Sequence, residues 1–400
     1  MNDTVTSFDP ELLELPFYDD GHRRLAGEIG VWCDSYRELW DTVRRTDPDE
    51  AGRRLVGVLG EDGWLSGLDP AAAPSGLPGD IRALCLAREA LAYAEDLADF
   101  AYSIQSLAAT PIIRHGTPEQ QKRFLPSMAD GSLIGAFAVS EQEAGSDLAA
   151  VALAARRTGG GDWVLDGHKA WIAHATIAGL YVVIARTGEG PGPLGLTAFL
   201  VPAGTPGVRV GQKLDAIAPR SFGHLVFEHC RLPADAVLGR PGRGFVVAVE
   251  LLDRFRITVG AAACGFGRRA ADAALARTRS RRAYGGTLYD LQLVKARLAD
   301  MEIGLNAAAL LVARAAWECD RGSPGFGRHA GIAKVHATET AQRVVDEAVQ
   351  LFGAAGVVRG GVPERLYRQI RSLRIYEGAN DVLRLAVADA LDNRRAALAG

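Results

Sequence analysis

Ala138-Val-Ser-Glu-Gln-Glu-Ala-Gly-Ser-Asp147 lies where the hydrophobic pattern of the chain changes period. Before it, from about Asp9 to Gly131, apolar residues recur every three or four positions, which predicts helices. After it, from Leu133 to about Val237, short β-rich runs are separated by glycine and proline, which predicts an antiparallel sheet or small barrel. The stretch therefore marks the junction of an α-helical block and a β block.

The helical period returns after the glycine-rich segment from Gly239 to Gly244. Long amphipathic stretches then cover residues 245–280, 291–319, 331–352 and 380–397. Such helices typically form a bundle that buries further apolar surface against another subunit, so we predict a homo-oligomer, either a dimer or a tetramer. The predicted fold class is α+β multidomain, with an N-terminal helical domain (1–132), a middle antiparallel β domain (133–238) and a C-terminal four-helix bundle (239–400).

Two short segments predict local structure. Thr117-Pro-Glu-Gln120 offers an N-cap, a proline at the first helical position and a capping-box partner. A helix should therefore begin there and run towards Phe124. Asp166-Gly167 is the clearest signal for a β-hairpin.

The composition argues against several classes of function. The chain has 45 basic and 48 acidic residues, so its net charge of −3 indicates no nucleic-acid or anionic-membrane partner. Its five cysteines include no CxxC pair, which predicts neither a disulfide framework nor a zinc site and fits a reducing cytoplasm. An export signal is missing, and every apolar run is shorter than the roughly 18 residues of a membrane span. We therefore predict a cytoplasmic location without membrane insertion.

Signatures of other enzymes are absent or fail on their context. Gly190-Pro-Gly-Pro-Leu-Gly195 matches GxGxxG, but its prolines and the following LTAFLVP predict a turn into another strand. The histidines at 168, 174, 224 and 229 do not place two ligands on one helical face, so we predict no metal.

Three segments are candidates for chemistry, and each has a plainer explanation. The loop from Ala138 to Asp147 exposes backbone N–H groups that suit an anionic or carbonyl-rich ligand, or it is a turn with an aspartate cap. Trp171 could support a flat heterocycle or pack in the interior. Glu377, followed by a glycine and then a helix, could be a base with a raised pKa or a carboxylate that compensates the helix dipole.

In this order and spacing, these segments resemble the acyl-CoA dehydrogenases. AVSEQEAGSDLAA, at 138–150, matches a family signature, although Gln142 and Glu143 replace the more usual Pro-Gly. Gln350-Leu-Phe-Gly-Ala-Ala-Gly356 matches a second signature in part. The resemblance covers nearly the whole chain and implies the fold of that family, FAD as cofactor and an acyl thioester as substrate.

The resemblance also implies roles for single residues. Glu377 falls at the position of the base that removes the α-proton, while flavin N5 accepts a β-hydride and a trans-2-enoyl thioester forms. Residues implied to bind FAD are Phe137, Val139, Ser140, Gly145, Ser146, Trp171, Ala173, Arg281, Tyr284, Gln292, Gln350, Gly353, Ala354, Ala379 and Asp381. Residues implied to bind substrate are Ser146, Asp253, Arg256, Tyr376 and Gly378.

The resemblance further implies partners. Arg281 and Tyr284 look like the pair that reaches the FAD of a neighbouring subunit, and Gln350 and Gly353 approach the phosphates and adenosine of that cofactor. The substrate is implied to be an acyl-CoA or an acyl group on an acyl-carrier protein. The electron acceptor would be a protein such as an electron-transfer flavoprotein.

Departures from the family pattern leave alternatives open. Ala173 stands where the family usually has a threonine or serine near flavin N5, and Ala379 replaces a frequent threonine. These changes favour a specialised enzyme over one of general lipid metabolism, and one hypothesis is action on a carrier-bound acyl group in polyketide or other natural-product biosynthesis. Ala173 also suggests an oxidase or monooxygenase on the same scaffold. A non-enzymatic, nucleic-acid-binding relative is disfavoured by the net charge of −3.

Overall fold

The computed structural model describes residues 8–71 and 80–399, with side chains as far as residue 391. Its contacts divide the chain into two compact units. Among the described residues, the helical unit comprises residues 8–40, 80–99 and 253–399, and the β unit comprises residues 41–71 and 100–252. The three-domain division at 132/133 and 238/239 stays a prediction, and its outer limits at residues 1 and 400 lie outside the described residues.

Helices form the chain before the sheet, as the apolar period predicts. They are α1 (Pro10–Leu13), α2 (Asp20–Ser35), α3 (Arg37–Val43), α4 (Pro48–Glu61), α5 (Ile81–Ala94), α6 (Asp96–His115) and α7 (Pro118–Ala129). The capping box at the start of α7 is confirmed, because the Thr117 hydroxyl accepts from the Gln120 N–H at 3.2 Å and the Gln120 side chain accepts from the Thr117 N–H at 3.0 Å. The helix continues beyond Phe124 to Ala129.

The middle of the chain forms one sheet in the order β6-β7-β3-β2-β4-β5-β8, with β1 also paired to β4. Its strands are β1 (Gly135–Ala138), β2 (Ala154–Arg157), β3 (Trp163–Ala173), β4 (Leu180–Arg186), β5 (Leu196–Pro202), β6 (Val208–Lys213), β7 (Phe222–Leu232) and β8 (Val237–Leu238). Pairing is antiparallel except that β1 and β2 run parallel to β4. The GxGxxG segment forms a short turn, Gly192–Gly195, that leads into β5, as predicted.

The predicted hairpin at Asp166-Gly167 is wrong, because β3 runs through both residues. The register between β3 and β7 shifts between Leu165 and Gly167, which makes the dipeptide a β-bulge. The Asp166 carboxylate accepts a hydrogen bond from the His229 N–H at 2.7 Å, and Gly167 has a φ of +138°. Long cross-strand pairing on both sides of the bulge therefore outweighs the local turn preference.

Helices dominate again after the sheet, which confirms the predicted order of helical, β and helical regions. The elements are α8 (Gly244–Ser280), the two-stranded pair β9 (Arg282–Ala283) and β10 (Gly286–Thr287), α9 (Gln292–Asp320), α10 (Phe326–Phe352), α11 (Val362–Ile370) and α12 (Asn380–Ala399). The short helix α11 is additional to the four helices predicted here. Within the described residues, no helix is both long enough and apolar enough to cross a membrane.

Candidate active site

Glu377 lies in a tight turn between the short 3-10 segment Arg371–Arg374 and the start of α12 at Asn380. Its φ is +56°, and that of the following Gly378 is +99°. A left-handed conformation costs a residue with a side chain about 1–3 kcal/mol, so surrounding contacts must hold it. Backbone strain of this kind is common where a side chain has to be presented to a ligand.

Two cations bind the carbonyl groups of this turn. The Arg256 Nε donates to the Glu377 carbonyl oxygen at 3.0 Å. The Lys334 Nζ donates to the Gly378 carbonyl oxygen at 2.8 Å and to the Asn380 Oδ1 at 2.8 Å. Arg256 projects from α8 and Lys334 from α10, so two long helices of the helical unit fix consecutive peptide groups of the turn.

The Glu377 side chain is partly buried, and its Oε2 atom is buried without a hydrogen-bond partner among the described residues. Burial raises the pKa of this carboxyl to about 7, while the nearby positive charges of Arg88, Arg256 and Lys334 act in the opposite direction. A carboxyl that titrates near neutrality and whose oxygen is not engaged can accept a proton. Within the described residues, no N–H of α12 donates to the Glu377 Oε2, so this oxygen does not act as a hydrogen-bonding cap.

Two buried cations near Glu377 were missed by the sequence analysis. Lys334 has no exposed surface, and burial lowers its pKa to about 7. Arg88 is 1% exposed and bonds to both Asp99 oxygens at 2.8 and 2.9 Å and to the Thr258 hydroxyl at 2.9 Å. Lysine is rare in this arginine-rich chain, and Lys334 stands between the apolar residues Ala333 and Val335. This pattern could have indicated a buried lysine.

The helical unit also gathers most of the residues predicted to bind substrate. Asp253 and Arg256 form an ion pair one turn apart on α8, and Arg256 reaches the Glu377 carbonyl group. Tyr376 and Gly378 flank Glu377 in sequence. Burial raises the pKa of Asp253, although Arg256 opposes that shift. Ser146 lies exposed on a loop of the β unit.

In the β unit, the loop after β1 is fastened by Lys169. This lysine has no exposed surface, and its Nζ donates to the Val139 carbonyl oxygen and to the Glu141 carboxylate, each at 2.8 Å. Phe137 and Val139 are buried, and Ser140 is partly exposed. Gly145 lies exposed further along the loop, beside Ser146.

Trp171 is not an interior tryptophan. It is 42% exposed, and its φ of +57° is left-handed. Its backbone N–H donates to the His224 Nδ1 at 3.2 Å, and the two rings lie 5.1 Å apart. The structure thus holds a large aromatic surface open to a ligand at the end of β3, where Ala173 contributes only a methyl group.

A basic cavity of about 490 Å³ in the helical unit brings together several residues predicted to bind cofactor. Its lining includes Arg281, Gln350, Gly353 and Ala354, together with Arg277 and Arg297. The remaining predicted residues lie outside that lining. Tyr284 is 92% exposed, Gln292 is exposed at the start of α9, Ala379 follows the Glu377 turn, and the exposed Asp381 pairs with Arg384 at 3.1 Å.

Models of one protein family match the chain in three consecutive parts. The N-terminal domain of the acyl-CoA dehydrogenases matches residues 34–132, the middle domain 136–230 and the C-terminal domain 242–391. The chain belongs to the acyl-CoA dehydrogenase family. Membership makes it an enzyme, an FAD-dependent oxidoreductase of the class that acts on CH–CH bonds.

Individual relatives agree with this assignment. Human mitochondrial short-chain specific acyl-CoA dehydrogenase is 40% identical over 285 residues, which are 71% of this chain and 69% of that protein. Butyryl-CoA dehydrogenase from Megasphaera elsdenii superposes with a TM-score of 0.86 at 30% identity, covering 93% of this chain and 98% of that one. A chain from a study of the electron transferring flavoprotein of Acidaminococcus fermentans gives 0.87 at 32%, with the same coverage.

The residues present fit FAD, the cofactor of the family. The indole of Trp171 is 42% exposed and can offer a face to a flat ring. Separately, the cavity of the helical unit presents Arg277, Arg281 and Arg297, whose guanidinium groups suit phosphates. Both features match parts of a dinucleotide that carries an aromatic ring system and a pyrophosphate.

Proposed function

We propose that this protein dehydrogenates an acyl thioester to the trans-2-enoyl thioester, with Glu377 as the base that takes the α-proton. The observation that carries the proposal is the Glu377 carboxyl, with its buried, unbonded Oε2 and a pKa raised by burial to about 7. Such a group can be ionised at neutral pH and still bind a proton from carbon when the carbon acid is activated.

The turn supports activation as well as proton removal. Within the described residues, the Glu377 N–H donates no hydrogen bond, so it can donate to the carbonyl oxygen of a thioester. A donor at that oxygen stabilises the negative charge that develops as the α C–H bond breaks. The carboxylate and its own N–H would then act on neighbouring atoms of one substrate.

The reaction balances with one base and one two-electron acceptor. The α-proton passes to the Glu377 carboxylate, the β C–H bond breaks with its electron pair, and a carbon–carbon double bond forms. Bound FAD supplies the hydride acceptor. Phe137, Val139, Ser140 and Trp171 would hold its ring system, with Ala173, Gly145 and Ser146 nearby.

Partners follow from the proposal. The thioester would be carried by CoA or by an acyl-carrier protein, and the likeness to a chain studied with an electron transferring flavoprotein supports such a protein as electron acceptor. Arg281, Tyr284, Gln350 and Gly353 would meet the cofactor of a neighbouring subunit in a dimer or tetramer. Tyr284 is 92% exposed, which supports a contact with the cofactor of a neighbouring subunit. We place the enzyme in the cytoplasm.

A second candidate is oxygen-using chemistry on the same scaffold. It is favoured by Ala173, whose methyl group provides no hydroxyl donor where the family usually has one. Stoichiometric hydrogen peroxide or an oxygenated product would support it, and slow reoxidation by air would oppose it.

The test is anaerobic bleaching of flavin absorbance by a panel of acyl-CoAs and acyl-carrier proteins. Bleaching by one thioester class should fall by about 10²–10⁴-fold in Glu377→Gln, since the amide cannot accept the proton. Glu302→Gln, the same change at an exposed glutamate of α9, is the control and should keep the wild-type rate.

Either of two results would contradict the proposal. A bound flavin that no thioester reduces would move the assignment to oxygen chemistry, and an unaffected Glu377→Gln would remove the base. The carrier-protein hypothesis fails separately if free acyl-CoAs react as fast as the same acyl groups on a carrier protein.

A further inference from the structure

Lys334 is a buried cation that bonds to the turn of the proposed base, and the chemistry above leaves it without a task. It projects from α10 with no exposed surface, and both acceptors of its ammonium group, the Gly378 carbonyl oxygen and the Asn380 Oδ1, lie at 2.8 Å. Burial of an ammonium group costs free energy unless it is bonded and balanced by charge. Both bonds end on the segment that follows Glu377, which indicates that the ammonium group holds this segment in place.

The two bonds hold the geometry of the turn. Consecutive left-handed residues, Glu377 at φ +56° and Gly378 at φ +99°, direct their carbonyl groups towards α8 and α10, where Arg256 and Lys334 bind them. Arg256 is shared with Asp253 and is only partly buried. Lys334 forms no ion pair within 4 Å among the described residues, and the two hydrogen bonds of its Nζ end on Gly378 and Asn380.

A second layer fixes Asn380 itself. Its Nδ2 donates to the Thr338 hydroxyl at 3.0 Å and to the Glu339 carboxylate at 2.9 Å. The Glu339 carboxylate also pairs with Arg374 at 3.0 Å. Each of these partners lies on α10 or on the segment before the turn, so Lys334 sits at the centre of a closed hydrogen-bond network on the α10 side of the base.

We propose that Lys334 is a positioning residue for the reaction, which holds the Glu377 turn so that the carboxylate and the N–H of Glu377 keep one fixed relation to the substrate. The inference rests on the proposed function. A lysine suits the position, because its compact ammonium group directs N–H donors to two acceptors in a site with no exposed surface.

The test compares wild type with Lys334→Met, which keeps the length of the side chain and removes the ammonium group. We expect flavin bleaching by the active thioester to slow by about 10²-fold, the loss typical of a misplaced reacting group. Affinity for the thioester should change far less. The isotope effect of an α-dideuterated thioester should rise, because proton removal becomes the slower event.

A pH series gives a second readout that a purely structural role would not move. Arg88, Arg256 and Lys334 are the charged groups that act on Glu377. Removal of one of these cations should shift the acid limb of the bleaching rate to higher pH. Lys334→Met leaves Arg88 and Arg256 in place, so the shift reports the loss of the Lys334 charge.

Val345→Ala is the matched control. Val345 is fully buried on the same helix, three turns from Lys334, and its truncation lowers stability without a bonded contact to the turn. If Lys334→Met does not fold, Lys334→Gln replaces it, since an amide leaves a polar group for the buried acceptors.

The outcomes separate the inference from the proposed function. Slow bleaching, a larger α-isotope effect and a shifted acid limb in the Lys334 variant alone would support the inference. The inference would be overturned, while the proposed function stands, by a Lys334 variant whose bleaching rate matches that of wild type. It would also be overturned if the Lys334 variant and Val345→Ala had the same melting temperature and the same bleaching rate. A wild-type flavin that no thioester bleaches contradicts the proposed function, and the inference falls with it.

Discussion

The Glu377 carboxyl and the Lys334 ammonium group titrate in the same pH range, and they do so for the same physical reason. Burial raises the pKa of the acid to about 7 and lowers that of the amine to about 7. Each charge favours the other, so the two groups titrate as a coupled pair and the observed midpoints belong to the pair.

The coupled pair predicts the pH dependence of the reaction. Glu377 accepts a proton only when ionised, and its pKa is raised, so thioester-driven bleaching should be fast above about pH 7 and lost as pH falls below it. Anaerobic stopped-flow measurements on both sides of neutrality would check this. An acid limb near the ordinary glutamate pKa of about 4.3 would contradict it.

Gly378 is a second residue of the turn at which the backbone geometry restricts substitution. Its φ is +99°, and a Cβ there would lie 3.2 Å from the Arg256 Nε and 3.3 Å from the Leu383 side chain. Gly378→Ala should therefore destabilise the protein by about 1 kcal/mol and slow bleaching at least tenfold by moving the turn.

Thermal unfolding and bleaching rates would measure both effects of Gly378→Ala. Gly30→Ala is the control, because Gly30 lies in helix α2 and nothing is within 4 Å of a Cβ built there. That change should leave the bleaching rate as it is and not lower stability. Equal behaviour of the two variants would argue against a strained turn.

At the scale of elements, the Gln120 side chain at the start of α7 makes both local and long-range hydrogen bonds. Gln120 completes the capping box of α7, and its Nε2 also donates to the carbonyl oxygens of Asp235 at 2.8 Å and Val237 at 2.9 Å. One side chain thus caps a helix and anchors the segment that contains β8, within the β unit.

This double role predicts unequal losses of stability. Thr117→Ala removes one cap bond and should cost about 1 kcal/mol. Gln120→Ala also leaves two carbonyl groups without their donor and should cost about 1–3 kcal/mol more. Urea unfolding of the two variants would measure the difference, and equal losses would show that the bonds to Asp235 and Val237 contribute nothing.

Elements also show where sequence patterns stop being informative. The capping box of α7 was predictable because all of its groups lie within four residues. The bulge at Asp166-Gly167 was not, because the local pattern is that of a hairpin and only pairing with β7, about 60 residues later, extends the strand. Lys334 and Arg88 were missed for the same reason, since the Gly378 carbonyl group and the Thr258 hydroxyl that they bind are distant in sequence.

At the scale of the whole molecule, the helical, β and helical order was predictable from period alone, and the family from three motifs. Glu377 was placed by its motif, whereas its raised pKa depends on burial that sequence does not show. Trp171 was identified as a candidate, but its exposure of 42% and its left-handed backbone required the three-dimensional structure.

Cofactor binding and self-association should be linked if the basic cavity meets the FAD of a neighbouring copy. Arg281→Glu reverses a charge in the lining of that cavity and should weaken both FAD retention and the oligomer. Flavin content after gel filtration and mass from light scattering would check this.

Arg53→Glu, the same reversal at an exposed residue of α4, is the control for that experiment. It should alter neither flavin content nor mass. A wild-type protein that is monomeric and retains FAD would contradict the prediction.

The burial of Lys169 and Lys334 gives the protein internal reporters for amine-reactive reagents. One lies in the β unit and the other in the helical unit, and neither has exposed surface, whereas 46% of the Lys213 side chain is exposed. An acylating reagent can modify a buried amine only after the surrounding structure opens. Mass spectrometry of the peptides that contain these two lysines would therefore follow the opening of each unit separately, in a single sample.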